Sequence, residues 1–252
     1  MIEKLGLQLY TIRDFMTTED GIKRSFEKIK KLGYDLAQTA GICQVTSYEN
    51  FGKFAKDAGI EIVGTHENLQ YNMEDIDRMV AHHKALGTDT CGVGGCWPGE
   101  GKTWYDCIEE VKKFCGMLKE RNMKFTYHNH SHEFMKLDGK FVMQHLIDEF
   151  KNIDNMTFCL DTYWLQHGGV AILEWMDKVA GKVDILHLKE MERTIDGPKI
   201  SEVGNGSINW EAVIKKGNEI GVKHYVVEQD VCPGDPFESI KMSSDYIHAN
   251  FM

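Results

Sequence analysis

The sequence predicts an α/β protein folded as a single-domain (β/α)₈ barrel. Three observations predict it. β-prone segments alternate with helix-period segments eight times along the 252 residues. The mean repeat, about 31 residues, is the length of one strand–helix unit. Four helix-to-strand junctions also carry the same glycine punctuation. Strands alternating with helices make a parallel sheet, and eight such units in roughly 250 residues close into a barrel.

The junctions are Lys31-Leu32-Gly33-Tyr34, Asp57-Ala58-Gly59-Ile60, Ala85-Leu86-Gly87-Thr88 and Glu219-Ile220-Gly221-Val222. Each ends an amphipathic run with a glycine, which enters the left-handed region past a helix end at no steric cost. Reading outward, the first strand falls at 5–10, and the helix over 19–32 opens at Thr18-Glu19-Asp20. The second strand, 34–39, leads to a helix over 47–58 that opens at Ser47 with Asn50. Strands at 60–66, 89–94 and 123–129 precede helices over 73–86, 104–121 and 139–151. Strands at 156–161, 183–189 and 223–230 precede helices over 169–180, 209–220 and 236–250, the last with Pro236 in its first turn.

The competing architecture is an open, doubly wound sheet. After the first strand, Leu9-Tyr10-Thr11-Ile12-Arg13-Asp14 lacks the GxGxxG turn that cradles a dinucleotide, and Gly92-Val93-Gly94-Gly95 has no P-loop lysine. No linker, low-complexity tract or composition break divides residues 1–252.

Acidic residues outnumber basic ones 39 to 29, and the net charge of −10 gives no footing for a nucleic acid. No apolar run approaches the ~18 residues of a membrane span. The N-terminus shows no basic, apolar and small-residue targeting pattern, so a cytoplasmic location is expected. Seven cysteines with no CxxC pair read as buried thiols rather than disulfides or a structural zinc site.

Barrel chemistry sits where strands end. Strand one ends with Gln8 and Tyr10, and strand three with Thr65-His66-Glu67-Asn68. Strand five ends with His128-Asn129-His130-Ser131-His132-Glu133, strand six with Asp161, strand seven with His187-Leu188-Lys189-Glu190, and strand eight with Glu228-Gln229-Asp230. Period-two alternation sets His128 with His130, His187 with Lys189, and Glu228 with Asp230 on shared faces. His128, Asp161, His187 and Glu228 then converge from four successive strands. Two imidazoles and two carboxylates suit one divalent ion, Mn²⁺, Co²⁺, Fe²⁺ or Zn²⁺, better than oxygen-seeking Mg²⁺.

A bland reading stands beside each choice. A lone histidine is more often surface or hydrogen-bonded, and His82, His83, His145, His167, His224 and His248 are read so. A carboxylate inside an apolar β-run is different, because buried Asp and Glu need a partner or a metal. Glu133, Glu190 and Glu202 stand evenly between the two readings. Tyr10, Trp97 and Trp164 offer flat walls for a sugar ring, whereas Trp104, Trp175 and Trp210 fall at helical core positions. Gly204-Asn205-Gly206 reads as a turn.

The ordered set Gly6-Leu7-Gln8-Leu9-Tyr10-Thr11-Ile12-Arg13-Asp14, Tyr127-His128-Asn129-His130 with Glu133-Phe134, Leu160-Asp161-Thr162-Tyr163-Trp164, His187-Leu188-Lys189, Val203-Gly204-Asn205-Gly206 and Val227-Glu228-Gln229 resembles the xylose-isomerase-like TIM-barrel superfamily. Within it the likeness is to sugar phosphate isomerases/epimerases, and it spans essentially the whole chain. The resemblance implies one divalent metal held by strands five to eight. Ketose 3-epimerases of this superfamily use Glu, Asp, His and Glu as ligands; by position the last three become Asp161, His187 and Glu228. His128 replaces the first glutamate, so the two-glutamate proton exchange does not transfer intact. Inosose dehydratases share the histidine-rich fifth strand. Relatives of the AP endonuclease IV type carry a further histidine where this chain has Trp164.

The expected activity is a sugar or keto-sugar isomerisation or epimerisation by proton abstraction α to a carbonyl, through a metal-stabilised enediolate. His128, Asp161, His187 and Glu228 hold the ion, Mn²⁺ or Co²⁺ being favoured and Zn²⁺ or Fe²⁺ compatible; His130 is the alternative strand-five ligand. Glu228 or His130 takes the proton, and Lys189 stabilises the oxyanion or donates. Gln8, Tyr10, His66, Trp97 and Trp164 face the substrate. A keto-sugar lyase on the same site is the alternative, and a non-catalytic carbohydrate-binding barrel is the third reading. The expected partner is a small sugar, with no nucleic acid and no membrane; the sequence does not fix the oligomeric state, and a homo-oligomer stays an open alternative because such barrels often pair. No phosphate cradle is evident.

Overall fold

The computed structural model describes residues 1–41 and 45–252. Eight parallel strands form one sheet: β1 (Leu5–Gln8), β2 (Leu36–Ala40), β3 (Glu61–His66), β4 (Thr90–Val93), β5 (Lys124–His128), β6 (Met156–Asp161), β7 (Val183–Leu188) and β8 (His224–Val227). Their spatial order is β3-β2-β1-β8-β7-β6-β5-β4, so the sequence order runs around a nearly closed barrel whose seam lies between β3 and β4. At the seam the Glu67 N–H donates to the Gly92 carbonyl at 2.9 Å. Gly92 is required there: a Cβ would lie 2.3 Å from the Thr65 carbonyl oxygen.

The barrel has two apolar layers. Helices pack on the outside of the strands in one large cluster that includes Phe26, Phe51, Phe114, Trp175 and Ile240. A second cluster, Leu36, Val63, Cys159, Ile185 and Val226, comes from strands alone and fills the lumen. Alternation along a strand repeats every two residues. Leu36, Cys159, Ile185 and Val226 therefore stand one layer beneath Gln38, Asp161, His187 and Glu228.

The helices are α1 (Glu19–Lys31), α2 (Tyr48–Asp57), α3 (Leu69–Glu74), α4 (Ile76–Leu86), α5 (Trp104–Lys119), α6 (Val142–Phe150), α7 (Thr162–His167), α8 (Ile172–Lys178), α9 (Trp210–Ile220) and α10 (Pro236–Phe251). Thr18 and Ser47 cap α1 and α2, as expected. The four junction glycines, Gly33, Gly59, Gly87 and Gly221, take φ of 91°, 75°, 81° and 85°.

Other expectations need correcting. The helix expected over 73–86 divides at Asp75, whose backbone leaves helix geometry (φ −145°, ψ 83°) while its carboxylate accepts the Arg78 N–H. The helix expected over 139–151 starts at Val142, because Lys136–Leu137 and Lys140–Phe141 pair as a small hairpin. That over 169–180 is shortened to α8 (Ile172–Lys178), and an unexpected short helix, α7 (Thr162–His167), precedes it before Gly168 and Gly169. Strand one stops at Gln8, since Leu9–Phe15 coils into a 3₁₀ turn. A hairpin of Glu190–Thr194 with Gly197–Ser201 follows β7. Among the described residues no helix is long and apolar enough to cross a membrane.

Candidate active site

His128 ends β5, Asp161 ends β6, His187 is the penultimate residue of β7 and Glu228 follows β8. The β6–β7 register sets Asp161 directly beside His187. One potential ligand atom from each of the four lies within 4.8 Å of all the others. His128 Nε2 is 3.3 Å from Asp161 Oδ2, and His187 Nδ1 is 2.9 Å from Glu228 Oε2 and 3.7 Å from Asp161 Oδ2. All four residues are buried.

Lys189 reaches the same point. Its Nζ lies 3.5 Å from Asp161, 3.2 Å from Glu228 and 2.8 Å from Asp230. Burial alone would raise the Asp161 and Glu228 carboxyls, but Lys189 and the neighbouring histidines outweigh it and hold both below the usual range. Burial opposes the Lys189 charge, and Glu228, Asp161 and Asp230 overcome it. Across the cavity, burial and the neighbouring imidazoles push His66 well below the ordinary imidazole value and His130 down to about 4. Both are neutral at pH 7.

A cavity of about 530 Å³ opens over this cluster, lined by Tyr10, His66, Glu67, Asn68, His128, His130, Lys189, Glu228 and Asp230 among others. A larger open groove lies at the opposite barrel end, where Lys4 and Lys30 pair with Glu61 and Asp35; it gathers no comparable buried cluster.

The family described as "Xylose isomerase-like TIM barrel" matches residues 26–242. The chain belongs to that family. A sugar phosphate isomerase/epimerase from Parabacteroides distasonis superposes with a TM-score of 0.82 at 22% identity, covering 100% of this chain and 96% of that one. An L-ribulose 3-epimerase gives 0.75 at 13% identity over 99% and 94% of the two chains. The probable 3-DHS dehydratase AsbF from Bacillus anthracis gives 0.73 at 12%, over 99% and 100%. At these identities the likeness is one of fold. No curated protein sequence matches the chain.

The centre of this xylose isomerase-like barrel fits a divalent cation on two observations. His187 Nδ1 is buried and has no partner in hydrogen-bonding geometry, despite facing two carboxylates. Asp161, Glu228 and Asp230 also oppose a single ammonium, leaving about two negative charges in excess, and buried charge needs a counter-charge. The same excess draws positive charge onto His187: burial opposes it, but Cys159, Glu228 and Asp161 raise the imidazole above its ordinary range.

The remaining expected residues fall in different places. Tyr10 and His66 line the cavity, and His130 stands 4.8 Å from the His128 ring, centroid to centroid. Trp164 lies beside rather than on the lining, its ring centre 5.0 Å from His130 and 5.0 Å from Lys189 Nζ. Trp97 is away from the lining and 62% exposed, edge-on to Trp104 and His132. Gln8 is buried below the cavity, its amide engaged by Gln38 and the Tyr10 N–H, so it meets His66 rather than the open space. Trp104, Trp175 and Trp210 are in the core. Glu190 binds the Trp210 indole N–H and the Gly204 and Ile208 N–H groups, and Glu202 accepts from Ser239 and Gln229, so both organise loops. Glu133 takes Tyr127 and the His130 N–H and so holds the strand-five turn.

Sequence reasoning missed Gln38, whose Oε1 lies 2.6 Å from His187 Nε2. The signal was present: Leu36-Ala37-Gln38-Thr39-Ala40 places an amide inside an apolar strand. Asn129, which accepts the Asp161 N–H at 3.0 Å, was missed too.

Proposed function

We propose that this xylose isomerase-like barrel is a divalent-metal-dependent isomerase or epimerase of sugars or keto-sugars. The observation that carries the reading is the buried His128–Asp161–His187–Glu228 cluster with Lys189 at the floor of an open polar cavity. His128, Asp161, His187 and Glu228 hold the ion, with Mn²⁺ or Co²⁺ favoured for two nitrogens and two carboxylates. When bound, the ion supplies Lewis-acid polarisation of a substrate carbonyl.

The chain's own groups do the rest. His66 and Tyr10, on the lining, meet substrate hydroxyls. His130 is neutral and therefore offers a lone pair for the proton α to the carbonyl, whereas Glu228 is committed to His187 and Lys189. The Lys189 ammonium stabilises the enediolate charge. Return of the proton to carbon gives isomerisation or epimerisation.

Loss of a β-oxygen instead gives the lyase. His128, standing where ketose 3-epimerases of the superfamily use glutamate, favours this second reading, because it removes one of the two carboxylate bases.

The test combines elemental analysis with a panel of ketoses and keto-inositols in deuterated solvent. Bound Mn, Co, Fe or Zn with deuterium entering at carbon and no loss of water is the expected result. Enone or diketone absorbance assigns the lyase. No bound metal, with no turnover after reconstitution, overturns both.

A further inference from the structure

We propose that Gln8 and Gln38 are positioning residues whose amides fix which ring nitrogen of His187 and His66 carries the proton. The inference deepens the proposed function, because it rests on His187 being a metal ligand, but its direction is set by one backbone group.

That group is the Tyr10 N–H, which can only donate and which lies 3.2 Å from Gln8 Oε1. The Gln8 oxygen therefore faces Tyr10, and its NH₂ faces Gln38 Oε1 at 3.0 Å. Gln38 is oriented in turn: its oxygen lies 2.6 Å from His187 Nε2 and its NH₂ 2.9 Å from His66 Nε2. An amide oxygen only accepts and an amide NH₂ only donates. His187 must carry a proton on Nε2, so Nδ1, which faces Asp161 and Glu228, is the nitrogen left to hold an ion. His66 must accept at Nε2 and so carries its proton on Nδ1.

The reversed chain would set the Gln8 NH₂ against the Tyr10 N–H, two donors at 3.2 Å, with both glutamines fully buried. A buried donor left unpaired costs about 1–3 kcal/mol, so the observed polarity wins. The His66 Nδ1 contact with Gln8 Nε2, 3.4 Å, is then donor to donor and forms no bond. The Nδ1–H of His66 is then left without an acceptor from either glutamine. Such outer partners orient a ligand imidazole and commonly change metal affinity about 10–100-fold.

The experiment is long-range ¹H–¹⁵N spectroscopy of ¹⁵N-histidine protein loaded with diamagnetic Zn²⁺, with Zn²⁺ affinity measured in parallel. His187 and His66 signals are assigned by their loss in His187→Gln and His66→Gln. Wild type is expected to show Nε2–H for His187 and Nδ1–H for His66. In Gln38→Leu, Zn²⁺ affinity falls roughly tenfold. In Gln38→Glu the introduced carboxylate accepts but cannot donate, so His187 keeps Nε2–H and Zn²⁺ while His66 switches to Nε2–H. A general packing defect predicts no such split. Nε2–H on His66 in wild type, or an unchanged His66 in Gln38→Glu, overturns the inference. If wild type fails to bind Zn²⁺, the metal reading falls, and the His66 tautomer of the metal-free protein decides the amide chain alone.

Discussion

Lys189 Nζ lies 3.5 Å from Asp161 Oδ2, and the two side chains are 1% and 0% exposed. An ammonium and a carboxylate at that depth stabilise each other mainly by preventing an uncompensated charge, and removing one partner of a buried pair costs about 3–5 kcal/mol. Lys189→Met is therefore expected to destabilise the metal-free protein by that order and to abolish turnover. Mn²⁺ should recover part of the stability, because it restores positive charge beside Asp161 and Glu228. Calorimetric melting with and without Mn²⁺ checks this, and a metal-free variant as stable as wild type sinks it.

Metal removal should be visible without any substrate. A cation that binds only the folded chain, present at about 1,000 times its Kd, adds about 4 kcal/mol. For a protein of this size that raises Tm by roughly 10 °C. Asp161→Ala and Glu228→Ala should each lose both the shift and the retained ion. Affinity should also rise with pH, because the ion displaces a proton that Glu228 and Asp161 draw onto His187. A chelator that leaves the wild-type Tm unchanged, or either alanine variant retaining wild-type metal, counts against the ligand set.

Much of this was legible in residue order. The strand–helix alternation and Gly33, Gly59, Gly87 and Gly221 suffice for the barrel, because helix termination is a local steric event. Convergence of His128, Asp161, His187 and Glu228 followed from counting strand ends with period two. The departures arise where tertiary contacts decide. Asp75 breaks a helical pattern by capping, and the Glu190–Ser201 hairpin extends beyond the barrel where no lumen partner dictates its period. Trp97 and Gln8 show the same limit within the site: a residue at a strand end can lie outside the cavity or beneath it, and sequence spacing does not separate those depths.

The barrel seam supplies a prediction independent of chemistry. Between β3 and β4 the backbones approach so closely that a Cβ on Gly92 would meet the Thr65 oxygen at 2.3 Å and the Thr126 methyl at 2.8 Å. A carbonyl in a strand cannot move aside as a side chain can, so the strands must separate and the Glu67–Gly92 hydrogen bond must stretch. Gly92→Ala is expected to cost about 1–3 kcal/mol, the usual range for overpacking. Urea unfolding reads it as a lowered midpoint, and a midpoint equal to wild type would show that the seam is looser than the distance implies.

His66 gives the pH dependence its sign. Burial, with His128 and His187 next, holds its folded pKa well below 6.5. Below pH 6.5 the unfolded chain takes up a proton that the folded chain refuses, so this group's contribution is complete above that pH and is lost as pH falls. His130, lowered to about 4, acts in the same direction between roughly pH 6.5 and 4. His132, raised despite burial by its contact with Glu133, acts in the opposite direction. The single-site term is isolated by comparison with His66→Gln. Wild-type stability should fall more steeply than the variant's from pH 6.5 to 5.5, by up to about 1.4 kcal/mol per pH unit, the value of one proton. Urea unfolding of both proteins at pH 7.5, 6.5 and 5.5 measures the difference, and parallel curves would mean that His66 is protonated in the folded barrel.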